Sequence, residues 1–303
     1  MKILAYIVLT LFLNRAIAQE IAITFDDAPT PQSKIYDGNT RTSRIIEQLK
    51  TSNVDQVAFF VITKQIDDDG ADRLRAYTDA GHLIANHTHT HQWIHRQGCK
   101  NYLDGITEAH NRLDKMAGYT PFFRYPFLDE GRTRPVRDSI RNHLGALGLK
   151  NGYVTIDNYD WYINTLVNRA KADSLNVDYD KLRDFYIEHI WNSIQFYDAI
   201  ARKTIGRSPK HVLLLHENDL AAMFINDLID FIRKQNWKII SPTEAYTDPI
   251  ADIIPDVLFN GQGRIGAIAF SKGVPAKELV QESEDEEWLE REMKIRNIIT
   301  AHR

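Results

Sequence analysis

Short runs of apolar, β-branched residues recur along the chain, separated by longer stretches in which apolar positions return every three or four residues. The short runs fall at 21–25 (IAITF), 57–62 (VAFFVI), 83–85, 121–125, 153–156, 212–215 and 238–240, and each has the length and composition of a strand. The stretches between them predict helices over 41–51, 70–80, 102–117, 133–147, 178–204 and 220–235. Runs apolar on both faces, joined by helical crossovers, predict parallel strands in an α/β fold. Periodicity alone leaves two arrangements open, a doubly wound sheet and a (β/α) barrel.

Two segments depart from this alternation. Residues 164–206 exceed a simple crossover and carry an apolar helical pattern through Leu182, Phe185, Ile190, Ile194 and Tyr197, which predicts an inserted helix on one rim. Beyond Tyr246 come two Asp/Pro breaks, a Gly261-Gln262-Gly263 turn, an acidic run at 282–287 and a charged helical pattern at 288–300. The expected organisation is a catalytic domain at 19–246, including the 164–206 insertion, with residues 247–303 as an appendage packed on it. The first 18 residues, MKILAYIVLTLFLNRAIA, pair Lys2 with an apolar run from Ile3 to Leu13 and end on Ala-Ile-Ala, the form of a cleaved export signal. That run is too short to span a bilayer. The expectation is an exported protein, periplasmic or secreted, with no stable membrane insertion after cleavage.

With 37 Lys+Arg against 41 Asp+Glu, the formal charge of the 303 residues is −4, which argues against a duplex-coating nucleic-acid binder. Cys99 is the only cysteine, so no intramolecular disulfide can form.

Candidate chemistry follows the strands. Asp26-Asp27, Arg124, Asp160-Trp161 and His216 each come directly after a predicted strand, and strand C-terminal ends build the active sites of parallel α/β folds. Residues 86–91 read Asn-His-Thr-His-Thr-His. On a helical turn His87 and His91 share a face and can reach one metal ion. His89 and His95 lie nearby, and spacing leaves open which pair ligates. Adjacent carboxylates at a strand end allow one to bind the ion while the other serves as a general base. Arg124 is a candidate counter-charge for the base, and His216 a candidate proton donor with Asp160 as its carboxylate partner. Trp161 and Leu214 would be apolar walls.

These residues resemble the polysaccharide deacetylases of carbohydrate esterase family 4, the NodB-homology domain. Five motifs occur in the family's order over about residues 20–246: Thr24-Phe25-Asp26-Asp27-Ala28-Pro29, His87-Thr88-His89-Thr90-His91, Arg124-Tyr125-Pro126-Phe127, Asp157-Asn158-Tyr159-Asp160-Trp161 and Leu214-Leu215-His216. The resemblance implies a distorted (β/α)7-type barrel and a metal bound by Asp27, His87 and His91, with Zn²⁺ the default and Co²⁺ able to substitute. It also implies Asp26 as base, His216 as acid, Arg124 positioning Asp26 and Asp160 tuning His216. The backbone N–H of Phe127 would face the oxyanion, while Trp161 and Leu214 would form the acetyl-methyl pocket; His89 is then not a ligand. Ala28 stands where the family has Gly, and Phe127 where it has Tyr. The implied activity is metal-dependent removal of acetyl groups from a carbohydrate, favouring N-acetylglucosamine-containing glycans such as peptidoglycan or chitin oligosaccharides. The alternatives are an O-acetyl xylan esterase of the same family and a catalytically inactive carbohydrate- or zinc-binding protein. A structural zinc site would instead be closed by a fourth ligand, His89 or His95.

Overall fold

A computed structural model describes residues 18–301. The expected export signal therefore lies outside the described residues except for Ala18. Among the described residues, no helix is long and apolar enough to cross a membrane.

The strands are β1 (Glu20–Ala28), β2 (Ala58–Val61), β3 (Leu83–Asn86), β4 (Tyr119–Phe123), β5 (Lys150–Asn151), β6 (Asn176–Val177), β7 (His211–His216), β8 (Lys238–Ile239) and β9 (Ile299–Thr300). The main sheet runs in the order β5-β4-β3-β2-β1-β7 with every pair parallel, and β8 pairs with the start of β1. Helices cover this curled parallel sheet, giving the half-barrel form of a NodB-type (β/α) barrel. Strand β1 lies between β2 and β7, and its Ile21, Ala22, Ile23 and Phe25 are fully buried. That is why its sequence reads as an apolar run and not as an alternation.

The predicted helices form with their ends adjusted by capping. Asp37 accepts the Thr40 N–H at the start of helix Gly38–Thr51, and Asn218 accepts the Ala221 N–H at the start of Asp219–Lys234. These two helices bury Ile45, Leu49, Ile225 and Leu228 in the principal core.

Three expectations need correction. Residues 153–156 are not a strand: Ile156 makes a single parallel bridge to Leu213, and β4 pairs instead with the two-residue β5. The chain crosses the β7 edge here, with the Thr155 and Ile156 N–H groups both donating to the Val212 carbonyl at 3.0 and 3.1 Å. Asp160 thus follows a crossing loop and opens a helix. The 164–206 stretch holds parts of two helices, Asp160–Ala172 and Tyr179–Ile205, divided at Ser174 (φ 54°) and β6. Strand β6 pairs antiparallel with β9 from the C-terminal segment. Finally, His87 to His91 form a loop and not a helical turn, with Thr88 and His91 at φ 69° and 53°.

Candidate active site

The site begins with an irregularity in β1. The register with β2 shifts between Phe25 and Ala28, and Asp27 has φ 71°. In a regular strand neighbouring side chains point to opposite faces, and a bulge breaks that alternation and re-aims them. Both carboxylates therefore reach the same space: His87 Nε2 is 3.6 Å from Asp26 Oδ2 and 3.6 Å from Asp27 Oδ1.

His87 leaves the end of β3 and is buried. Its Nδ1 lies 2.9 Å from the Arg124 carbonyl, which can only accept, so Nδ1 carries the proton and Nε2 presents its lone pair. Burial holds the His87 pKa well below the usual histidine value, which keeps the ring neutral. The left-handed residues of the following loop return His91 to within 3.3 Å of Asp27 Oδ1, with the two imidazole centroids 4.8 Å apart.

Asp27 Oδ1, His87 and His91 offer ligand atoms within 4.8 Å of one another. Asp27 Oδ1 is buried and has no hydrogen-bond partner. An orphaned carboxylate oxygen between two imidazole nitrogens, one aimed by a carbonyl behind it, fits a divalent transition ion with positions left open. His89 is directed elsewhere: its Nδ1 meets Thr63 Oγ1 at 3.0 Å and its Nε2 faces Glu108 at 3.4 Å. His95 lies against Trp93, its ring tilted at 52° to the indole. Neither joins this group, and among the described residues no fourth ligand closes it.

Asp26 is held from behind. Arg124, almost fully buried, donates Nη1 to Asp26 Oδ1 at 2.5 Å and to Thr24 Oγ1 at 2.9 Å, Nε to the Gly152 carbonyl, and Nη2 to the Tyr246 hydroxyl at 3.1 Å. Its guanidinium lies 3.7 Å over the Phe60 ring. Burial pushes the Asp26 pKa up, and Arg124 only partly opposes this. Oδ2 is left facing the cleft.

Across the cleft, His216 Nδ1 meets Asp160 Oδ1 at 2.6 Å. Asp160 Oδ2 accepts the His216 backbone N–H and the Asn218 side-chain amide, both at 3.0 Å. Burial opposes charging of His216, but the Asp160 carboxylate outweighs it, with smaller help from Asp27 and Asp26, and the pKa is pushed up to about 10.

A cleft of about 490 Å³ joins Asp26, Asp27, His87, His91 and His216 to Phe127, Trp161 and Leu214. Every candidate site residue is thus brought together, with Arg124 directly behind Asp26 and Asp160 directly behind His216. Phe127 sits at φ 58°, a conformation unusual for a bulky side chain and of the kind found at functional sites, and its ring stacks on Trp93 at 3.9 Å. The motif reading missed Trp93, Tyr246, Asn158 and Asn218. Asn158 lies inside a quoted motif, and its amide donates to the Leu214 carbonyl at 2.6 Å while its oxygen accepts the Asp160 N–H. Gly261, Gln262 and Glu286 from the C-terminal segment also line the cleft, and no local pattern signals this.

Residues 14–152 match the polysaccharide deacetylase family. A peptidoglycan-N-acetylglucosamine deacetylase of Bacillus cereus is 26% identical over 161 residues, covering 51% of this chain and 52% of that protein. The chain thus spans about half the length of this curated relative. Among solved structures, the peptidoglycan deacetylase PdaC from Bacillus subtilis aligns at TM-score 0.51 and 18% identity, covering 76% of this chain and 91% of the other. A family 4 acetyl xylan esterase from Clostridium thermocellum, in complex with a cobalt ion, aligns at 0.52 and 20% identity with the same coverage. A family 4 pseudoenzyme from Bacillus anthracis aligns at 0.52 and 15% identity, over 75% of this chain and 65% of the other. At these identities the structural likeness is one of fold. Motif order, the family match over residues 14–152 and the fold agree in likening this part of the chain to the polysaccharide deacetylases of carbohydrate esterase family 4.

Proposed function

We propose that this protein is a metal-dependent hydrolase that removes acetyl groups from an N-acetylglucosamine-containing glycan, of the peptidoglycan or chitin-oligosaccharide kind. The observation that carries the reading is one cleft holding an orphaned three-ligand group between a carboxylate backed by arginine and an imidazole backed by carboxylate. A pure binding site needs no proton acceptor and donor on opposite walls. Asp27, His87 and His91 would hold the ion, Zn²⁺ by default with Co²⁺ able to substitute, as their nitrogen and oxygen donors suit either. When bound, such an ion supplies Lewis-acid polarisation of the acetyl carbonyl and acidifies water.

The chain's own groups handle the protons. Asp26 Oδ2 takes the proton of the attacking water, and its raised pKa makes it a better base than an exposed aspartate. Arg124 fixes the direction of that carboxylate. The water oxygen bonds to the acyl carbon, and the oxyanion that develops lies toward the Phe127 backbone N–H. His216, charged through Asp160, donates from Nε2 to the leaving nitrogen as the C–N bond breaks, freeing the amine and acetate. Leu214, 4% exposed, and Trp161, 36% exposed, supply apolar surface for the acetyl methyl. The protein is read as exported, since a glycan of this kind lies outside the cytoplasm.

Acetate release by the metal-loaded protein, with and without chelator, tests the reading on N-acetylglucosamine oligomers, peptidoglycan and acetylated xylan. Chelator-sensitive release from the first two supports it, whereas release only from xylan makes the protein an O-acetyl esterase. Silence on all three with the ion bound makes it a binding protein.

A further inference from the structure

Outside the cleft, Arg264 is a buried cation without a counter-charge. It opens the helix Gly263–Ser271 and is 6% exposed. Its Nη1 donates to the carbonyls of Ile250, Ala251 and Ile253 at 3.3, 3.3 and 2.8 Å, and its guanidinium lies 4.7 Å from the Tyr153 ring centre. Among the described residues, no carboxylate pairs with it, and its Nε and Nη2 make no hydrogen bond. The nearby Glu130 is already engaged by Arg141 at 2.7 Å and Asn151 at 3.1 Å. Burying an unpaired charge is costly, and Arg264 faces a cavity in which a ligand could relieve that cost.

This cavity, of about 440 Å³, has the size of a small-molecule site. Phe122, Leu144, Leu149 and Ile254 give it apolar walls, and Ile254 is 63% exposed at its edge. Tyr153, 5% exposed, also lines it and carries a hydroxyl without a partner. We propose that the cavity binds a small organic monocarboxylate with an apolar body, aromatic or medium-chain, its carboxylate received by Nε and Nη2 of Arg264. The guanidinium edge suits the two oxygens of a carboxylate. Arg264, Arg141 and Lys150 line the cavity with Glu130 and Asp252, so the charged lining carries one net positive charge, which a single carboxylate balances and a multiply charged anion such as phosphate exceeds. The cavity shares no lining residue with the catalytic cleft and meets it through Tyr246, which also holds Arg124; the proposal does not depend on the reading of that cleft.

The test is calorimetric titration of the purified protein with benzoate and hexanoate, using benzyl alcohol, hexanol and inorganic phosphate as controls. Saturable binding of an acid, with none for the alcohols or phosphate, is the expected result. Gly145 lines the cavity, and a Cβ placed there meets nothing within 4 Å. Gly145→Phe should therefore fold normally, retain Arg264 and bind the acids at least about tenfold more weakly. Arg264→Gln should lose the preference for acid over alcohol if it folds. Failure of both acids to bind, equal binding of acid and alcohol, or undiminished binding in a folded Gly145→Phe variant overturns the proposal.

Discussion

Replacing Asp160 with Asn tests the proton-donor half of the site. Asp160 Oδ1 lies 2.6 Å from His216 Nδ1, and His216 is raised from the usual 6.5 to about 10. That rise is worth about 5 kcal/mol at about 1.4 kcal/mol per pKa unit, and any ion on Asp27 reduces it by cancelling that carboxylate's share. In the variant, burial is no longer outweighed and the imidazole pKa falls below 6.5. At pH 8 the protonated fraction then drops from nearly all to less than about one in thirty. The amide also cannot serve every donor now pointed at the carboxylate, namely His216 Nδ1, the His216 N–H and the Asn218 amide. Because a positioned general acid is worth roughly 10²–10⁴, kcat/KM on an N-acetylglucosamine oligomer should fall on the order of 10²-fold at pH 8, and the basic limb of the profile should move down. An aryl acetate, whose leaving group departs without a proton, should be hydrolysed nearly as fast as by the parent protein. Steady-state kinetics across pH on both substrates measure this. Equal losses on the two substrates, or an unmoved basic limb, refute the assignment of His216 as a carboxylate-held acid.

Asp26→Asn should keep metal affinity within a few-fold while lowering turnover by roughly 10²–10⁴, and parallel loss of metal in a zinc titration would remove Asp26 from the base role. Glu217→Ala should destabilise the fold by about 3–5 kcal/mol in urea unfolding, because Glu217, fully buried, pairs with Arg73 at 2.9 Å and accepts the Tyr77 hydroxyl, and truncation leaves buried Arg73 with only the exposed Asp69, at 3.9 Å, as counter-charge. Stability should also fall in mild acid. Burial lowers His82 and His189 to about 4, so the unfolded chain takes up protons between about 6.5 and 4 that the folded chain refuses. Each then contributes a loss of about 3 kcal/mol as pH falls through that window, with no further change below it, and a flat urea midpoint across the window would contradict this. Tyr246→Phe should cost about 1 kcal/mol of stability and lower activity a few-fold, since it removes the acceptor of Arg124 Nη2; activity equal to the parent protein would show that Asp26 is held without it.

The site was largely legible because parallel α/β folds gather strand C-terminal ends, so position in sequence stands in for position in space. Asp26, Asp27, His87, Arg124 and His216 all follow strand signals, and the topology brings them together. His91 was reached by a wrong local argument: spacing of four suggested a helical turn, yet the approach is made by a loop with two left-handed residues. Asp160 was likewise attached to a strand that does not form. Its place comes from the edge crossing at Ile156 and from Asn158, which ties the crossing to β7 through the Leu214 carbonyl. Tyr246 and Trp93 were invisible because each acts through a residue distant in sequence or across a loop, and neither contact leaves a periodic trace.

The C-terminal segment shows how far such long-range contacts shape the cleft. Arg207 pairs with Asp248, Arg134 with Asp256, and the Tyr162 hydroxyl donates to Glu290 at 2.6 Å, so the segment is fastened at several points on the barrel. Within it, Glu284 accepts from the Tyr197 hydroxyl at 2.7 Å and from the Gln262 amide at 3.0 Å. Burial pushes both Glu284 and neighbouring Asp157 above the usual carboxylate range. The charge of Glu284 adds to the rise at Asp157, so the two carboxyls resist being ionised together. Asp157 and Gln262 both line the cleft, and Gln262 is the residue that Glu284 holds. Gly261, Gln262 and Glu286 bring this segment to the cleft lining, so on the proposed function they are the positions where substrate selectivity can be set without disturbing Asp26 or His216.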